Sequence, residues 1–82
     1  MISEPGWDAV LRRDRYELCC KRAGLETEAD QARAIGVSAS YLNRLLSGER
    51  HLNRFFIAGA LRTFGCAFED LFEVRPRRQE AA

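Results

Sequence analysis

The chain has 82 residues, 46% of them hydrophobic, with 13 basic and 12 acidic side chains and a formal charge of +1. That length suits one domain with a small core and is too short for two. No apolar run approaches the ~20 residues that cross a bilayer, and Met1 to Pro5 lacks the apolar stretch of a secretory signal.

Residues 1–6, with Pro5-Gly6, read as a flexible N-terminal arm, residues 7–74 as the folded domain and residues 75–82 as a basic disordered tail. From Trp7 to about Ala23, Trp7, Val10, Leu11, Leu18, Cys19 and Ala23 form a helical pattern among many charges. Gly24 stops that helix and Leu25 follows as a core contact. The polar interval Arg12 to Arg15 bends this first helix or delays its start. Thr27 caps a second helix to about Ala34, with Asp30 three residues on in a capping-box-like arrangement and Ala29, Ala32 and Ile35 inward. Gly36 then turns the chain through a left-handed conformation that costs glycine little, and Val37 plugs the turn.

Ser38 caps a third helix to about Leu46, which sets Leu42, Leu45 and Leu46 toward the core. Its opposite face is Ala39, Ser40, Asn43 and Arg44, with Tyr41 at the margin. Ser47-Gly48 ends it, and Glu49 to Leu52 form a polar loop. Asn53 caps a fourth helix that ends before Gly65, and a short fifth covers about Ala67 to Phe72. No segment shows strand-like alternation. The predicted fold is all-α: a compact five-helix domain with a helix-turn-helix at helices 2 and 3.

The charges are distributed unevenly. Glu26 to Asp30 holds three acids, whereas Ser38 to Arg62 holds Arg44, Arg50, Arg54 and Arg62 against Glu49 alone. Twelve of the thirteen basic residues are arginine, whose planar fork suits phosphate and guanine. A helix that reads base edges needs small or hydrogen-bonding side chains in its exposed first turn, which Ala39 and Ser40 supply. Arg44 follows one turn later on the same face, where a bidentate contact to guanine is the commonest specific pairing. Asn43 and Tyr41 flank it as further base readers. Ser38, Arg50, His51, Asn53 and Arg54 are the candidate phosphate contacts, fixing register without reading sequence.

Thr27 to Arg50, with Ala32, Ile35-Gly36-Val37-Ser38, Ser40, Leu42, Arg44, Leu45 and Ser47-Gly48, resembles the Cro/repressor-type (XRE-like, lambda-repressor-like) helix-turn-helix family. Ile57-Ala58-Gly59-Ala60-Leu61 and Glu69-Asp70-Leu71-Phe72 resemble that family's fourth and fifth helices. The resemblance implies base reading by Ala39, Ser40 and Arg44. Two positions depart from the family pattern: Glu28 stands where a phosphate-holding glutamine is usual, and Gln31 where a leucine is usual. Glu28 cannot donate to phosphate and repels it.

The expected function is a sequence-specific double-stranded DNA-binding transcription regulator, a phage-type Cro or immunity repressor that occludes a promoter. It is expected to act as a homodimer, at least on DNA, in a bacterial cytoplasm or nucleoid, without cofactor, metal, membrane or small-molecule ligand. The alternative is an antitoxin or other interaction module of the same fold whose main partner is a protein. An enzyme is not expected, because no paired-carboxylate, Cys-His or metal constellation shares a face. His51 is the only histidine, and Cys19, Cys20 and Cys66 are an odd set with one vicinal pair, which reads as small buried hydrophobes in a reducing compartment. One helix cannot bury Phe55, Phe56 and Ile57 together. A dimer surface of Phe55, Phe56, Leu71, Phe72 and Val74 follows, unless the first helix covers the extra ring.

Overall fold

A computed structural model describes residues 6–77. The elements in chain order are β1 (Trp7–Leu11), α1 (Arg13–Ala23), α2 (Glu28–Ile35), α3 (Ala39–Leu46), α4 (Arg54–Phe64), α5 (Phe68–Leu71) and β2 (Phe72–Pro76). The five helices fall in the predicted order, but the all-α expectation is corrected: two strands join them, making a small mixed domain.

β1 and β2 pair antiparallel with Trp7 opposite Pro76, Ala9 opposite Val74 and Leu11 opposite Phe72. Arg12 N–H to the Leu71 carbonyl at 2.9 Å and Arg77 N–H to the Gly6 carbonyl at 3.1 Å continue the ladder at its two ends. Directly opposed residues share a face of such a ribbon. The Leu11–Phe72 pair therefore enters the core, while Trp7 and Val74 stay exposed farther along the same face. On the other face Asp8 lies opposite Arg75, an opposite-charge pair. The predicted first helix thus loses Trp7–Leu11 to a strand and starts at Arg13. The fifth ends at Leu71, and Arg75 and Pro76, expected in a disordered tail, belong to β2. Of the expected arm and tail, residues 1–5 and 78–82 lie outside the described residues.

Local chemistry sets the helix ends. The Thr27 hydroxyl accepts from Asp30 N–H at 3.1 Å, the Ser38 hydroxyl from Tyr41 N–H at 3.0 Å and the Asn53 side-chain carbonyl from Phe56 N–H at 2.8 Å. Each satisfies a donor that a helix start leaves unpaired. The Asp30 carboxylate pairs with Arg33 at 3.2 Å instead of closing a capping box. Gly36 ends α2 at φ 97°, which a side chain would resist.

The core comprises Tyr16 and Cys20 from α1, Ala32 and Ile35 from α2, Leu42 from α3, Phe56 and Ala60 from α4, with Leu71 and Phe72. The Phe56 ring lies at its centre, 6.0 Å from that of Tyr16, 6.2 Å from Phe72 and 6.5 Å from Tyr41. Expected core positions Leu18 and Ala29 are exposed instead. Gly59 lets α4 cross α2 closely: a Cβ there would sit 1.9 Å from the Ile35 carbonyl oxygen. Among the described residues no helix is long and apolar enough to cross a membrane.

Candidate nucleic-acid interface

α3 is amphipathic in the sense its sequence demands. Leu42 is fully buried and Leu45 and Leu46 pack against the core, which turns Ala39, Ser40, Asn43 and Arg44 outward. The first amides of an α-helix have no partner within it, so those of Ala39 and Ser40 and the proton of the Ser38 hydroxyl are donors at one exposed end. Arg44 takes no part in an ion pair among the described residues. Its guanidinium is therefore not held by a carboxylate.

Besides Ser38, the cap of α3, three sequence-predicted site residues have structural duties. The Tyr41 hydroxyl donates to the His51 carbonyl at 2.6 Å and accepts from Asn53 N–H at 3.0 Å. It staples the α3–α4 loop to α3, which corrects its assignment as a base reader. Burial pushes its phenol pKa upward, opposed by the Asn53 hydrogen bond. Asn53 is the cap of α4, so its side-chain carbonyl is already committed. Asn43 stays on the outward face, but its amide donates to the Glu28 carboxylate at 3.2 Å.

Arg50, His51 and Arg54 are exposed along the loop and the first residue of α4. The Arg54 guanidinium lies over the Phe55 ring, 4.9 Å from its centroid, a cation–π contact that holds the side chain near the surface. Leu46 and the α1 residue Arg13 are joined by a hydrogen bond from the guanidinium to the Leu46 carbonyl, which fixes the far end of α3.

Gln31 and Glu28 both make contacts between elements. Gln31 is half-buried: its carbonyl accepts from the Tyr16 hydroxyl at 2.9 Å and its amide donates to the Leu25 carbonyl at 3.1 Å. A leucine there would leave the buried Tyr16 hydroxyl without that partner. Glu28, at the exposed start of α2, is the partner of Asn43. Neither role is visible in the sequence, because each depends on contacts between different helices.

The expected dimer surface is corrected in three of its five residues. Phe56, Leu71 and Phe72 are core side chains, unable to meet a partner without unfolding the domain. Phe55 and Val74 are exposed at 60% and 58%. Trp7, which the sequence reading put in a helix, is at 73% the most exposed large hydrophobic among the described residues.

No family model, no curated protein and no solved structure matches the chain.

Proposed function

We propose that the chain is a sequence-specific double-stranded DNA-binding regulator of the Cro/repressor type, a phage-type repressor that blocks a promoter by occupying it. One observation carries this reading: α3 buries Leu42 while exposing Ala39, Ser40, Asn43 and Arg44 on one side, beyond the Gly36 turn. A helix offering two small side chains, an amide and an arginine on one face suits the floor of the major groove. Ala39, Ser40 and Arg44 read bases, Asn43 reads through its side-chain carbonyl, and Ser38, Arg50, His51 and Arg54 hold phosphates.

Two copies on a two-fold axis read half-sites about 34 Å apart, more sequence than one module can specify. The exposed Phe55, Val74 and Trp7 support a homodimer. The proposed setting is the bacterial cytoplasm or nucleoid, and the proposed role is non-enzymatic. Selection from a random DNA library with the purified chain tests it. An enriched palindrome is the expected result. A library that stays random overturns the reading in favour of the antitoxin-like alternative, whose main partner is a protein.

A further inference from the structure

Spacing alone gives the three cysteines no disulfide partnership, but the fold changes which of them are neighbours. Cys19 on α1 and Cys66, just past the end of α4, line one open cavity of about 410 Å³ together with Arg22, Thr63, Phe64 and Asp70. Both are half-buried, so a small reagent reaches them. The Cys19 side chain is among the groups close enough to act on the Cys66 thiol. Cys20 lies roughly 100° further round the helix, and there it is buried in the core, one turn on from the buried Tyr16.

We propose that Cys19 and Cys66 are a modification site, forming a reversible intramolecular disulfide that staples α1 to the turn between α4 and α5. Two neighbouring cysteines that line one open cavity need only bring their sulfurs to about 2.05 Å to close the bond. The oxidant is a low-molecular-weight disulfide such as oxidised glutathione. One cysteine thiolate attacks it, a glutathione thiolate leaves, and the protein carries a mixed disulfide. The second cysteine loses its proton to solvent and displaces the other glutathione. The two protein thiols lose two electrons and two protons, and one glutathione disulfide becomes two glutathione thiols.

The surroundings set the rate. Burial pushes the Cys66 thiol upward, and the neighbouring Cys19 and Asp70 add to the shift. Arg22 is the cation lining the same cavity. Since the thiolate is the nucleophile, the bond forms slowly at neutral pH and faster as pH rises. The loop from residue 19 to residue 66 takes in more than half the chain, and closing a loop that long restricts the unfolded state strongly. None of this depends on the DNA-binding reading, because the cavity includes no residue of α3.

The test treats the full chain with oxidised glutathione at mildly alkaline pH, followed by acid quenching, mass spectrometry and non-reducing peptide mapping. The expected product has lost two hydrogen atoms, links the Cys19 and Cys66 peptides and keeps Cys20 as a thiol. Its Tm rises by on the order of 10 °C and returns on reduction with dithiothreitol. Cys20→Ala keeps this behaviour. Cys19→Ala and Cys66→Ala lose the linked product, while circular dichroism of each reduced variant reports that it still folds. Glutathione adducts that never resolve into an intrachain bond overturn the proposal. So do a bond to Cys20, crosslinking between chains alone, or an oxidised form that melts no higher.

Discussion

The side-chain amide of Asn43 donates to the carboxylate of Glu28 at 3.2 Å, joining the outward face of α3 to the first residue of α2. With its amide held in this way, Asn43 presents its carbonyl oxygen as the free acceptor. The pair also places a negative charge beside the surface proposed to meet DNA. In the proposed DNA complex both effects would favour selectivity over affinity: the carboxylate disfavours a nearby phosphate, and the oriented amide narrows what Asn43 would read.

Glu28→Gln separates these effects. Glutamine keeps a carbonyl that accepts from Asn43 and removes the charge. Two unit charges 4 Å apart in water interact by about 1 kcal/mol, so affinity for random-sequence duplex at low salt is expected to rise roughly five-fold. The excess should vanish as salt is raised. Fluorescence anisotropy across a salt series measures it, and an unchanged affinity would remove Glu28 from the interface.

Arg44→Ala is expected to cost about 1–3 kcal/mol at the selected site and to relax preference at one base pair. Arg50→Ala and Arg54→Ala should weaken all sequences alike and flatten the salt dependence by about one counterion each. Competition binding with single-base variants, repeated at several salt concentrations, distinguishes a reader from a clamp. An Arg44→Ala protein with its base preference intact would return that arginine to a solvated role.

The parts of the fold written in adjacent residues were legible in the sequence. Thr27, Ser38 and Asn53 cap helices because an oxygen and an amide three residues apart meet whatever surrounds them. Gly36 marks its turn for an equally local reason. The ribbon was not read, since the partner of Trp7–Leu11 lies at the far end of the domain and β1 does not alternate; β2, Phe72-Glu73-Val74-Arg75-Pro76, does alternate, but over five residues only. Trp7, Leu11 and Leu18 happen to fall at helical spacing, and that phase pointed Leu18 inward. Once 7–11 is extended, Tyr16, Cys19 and Cys20 define the buried stripe. At the candidate site, exposure of Ser40 and Arg44 followed from the position of Leu42. The staple role of Tyr41 did not, because its partners, the His51 carbonyl and the Asn53 amide, are loop backbone.

Gly59→Ala tests the close crossing of α4 over α2. In an exposed helix this change stabilises by up to about 1 kcal/mol. Here the new Cβ meets the Ile35 carbonyl oxygen at 1.9 Å, a backbone atom that can yield only if the helices separate. The expected sign is therefore reversed, with a loss of at least about 2 kcal/mol and a Tm lower by on the order of 10 °C. Thermal unfolding by circular dichroism decides it. A variant as stable as the parent would mean that the helices do not approach this closely.

The buried phenol of Tyr16 makes stability depend on pH in the alkaline range. Burial is the main cause that pushes its pKa well above the ordinary value of about 10. In the unfolded chain that phenol loses its proton near pH 10, while the native chain keeps it beside the Gln31 carbonyl. The native state then binds more protons than the unfolded state, so stability falls as pH rises, by up to about 1.4 kcal/mol per pH unit for one such group. The Cys20 thiol and the Tyr41 phenol are shifted in the same direction, chiefly by burial. These three groups therefore leave stability nearly flat around neutrality and erode it above about pH 9. Tyr16→Phe removes one of them and leaves the Gln31 carbonyl without its donor. At pH 7 the variant should be less stable by about 1–2 kcal/mol, yet decline less steeply between pH 9 and 11, so the gap narrows as the solution becomes more basic. Urea midpoints measured across that range test the sign, and parallel curves for the two proteins would show that Tyr16 ionises as readily in the native chain as in the unfolded one.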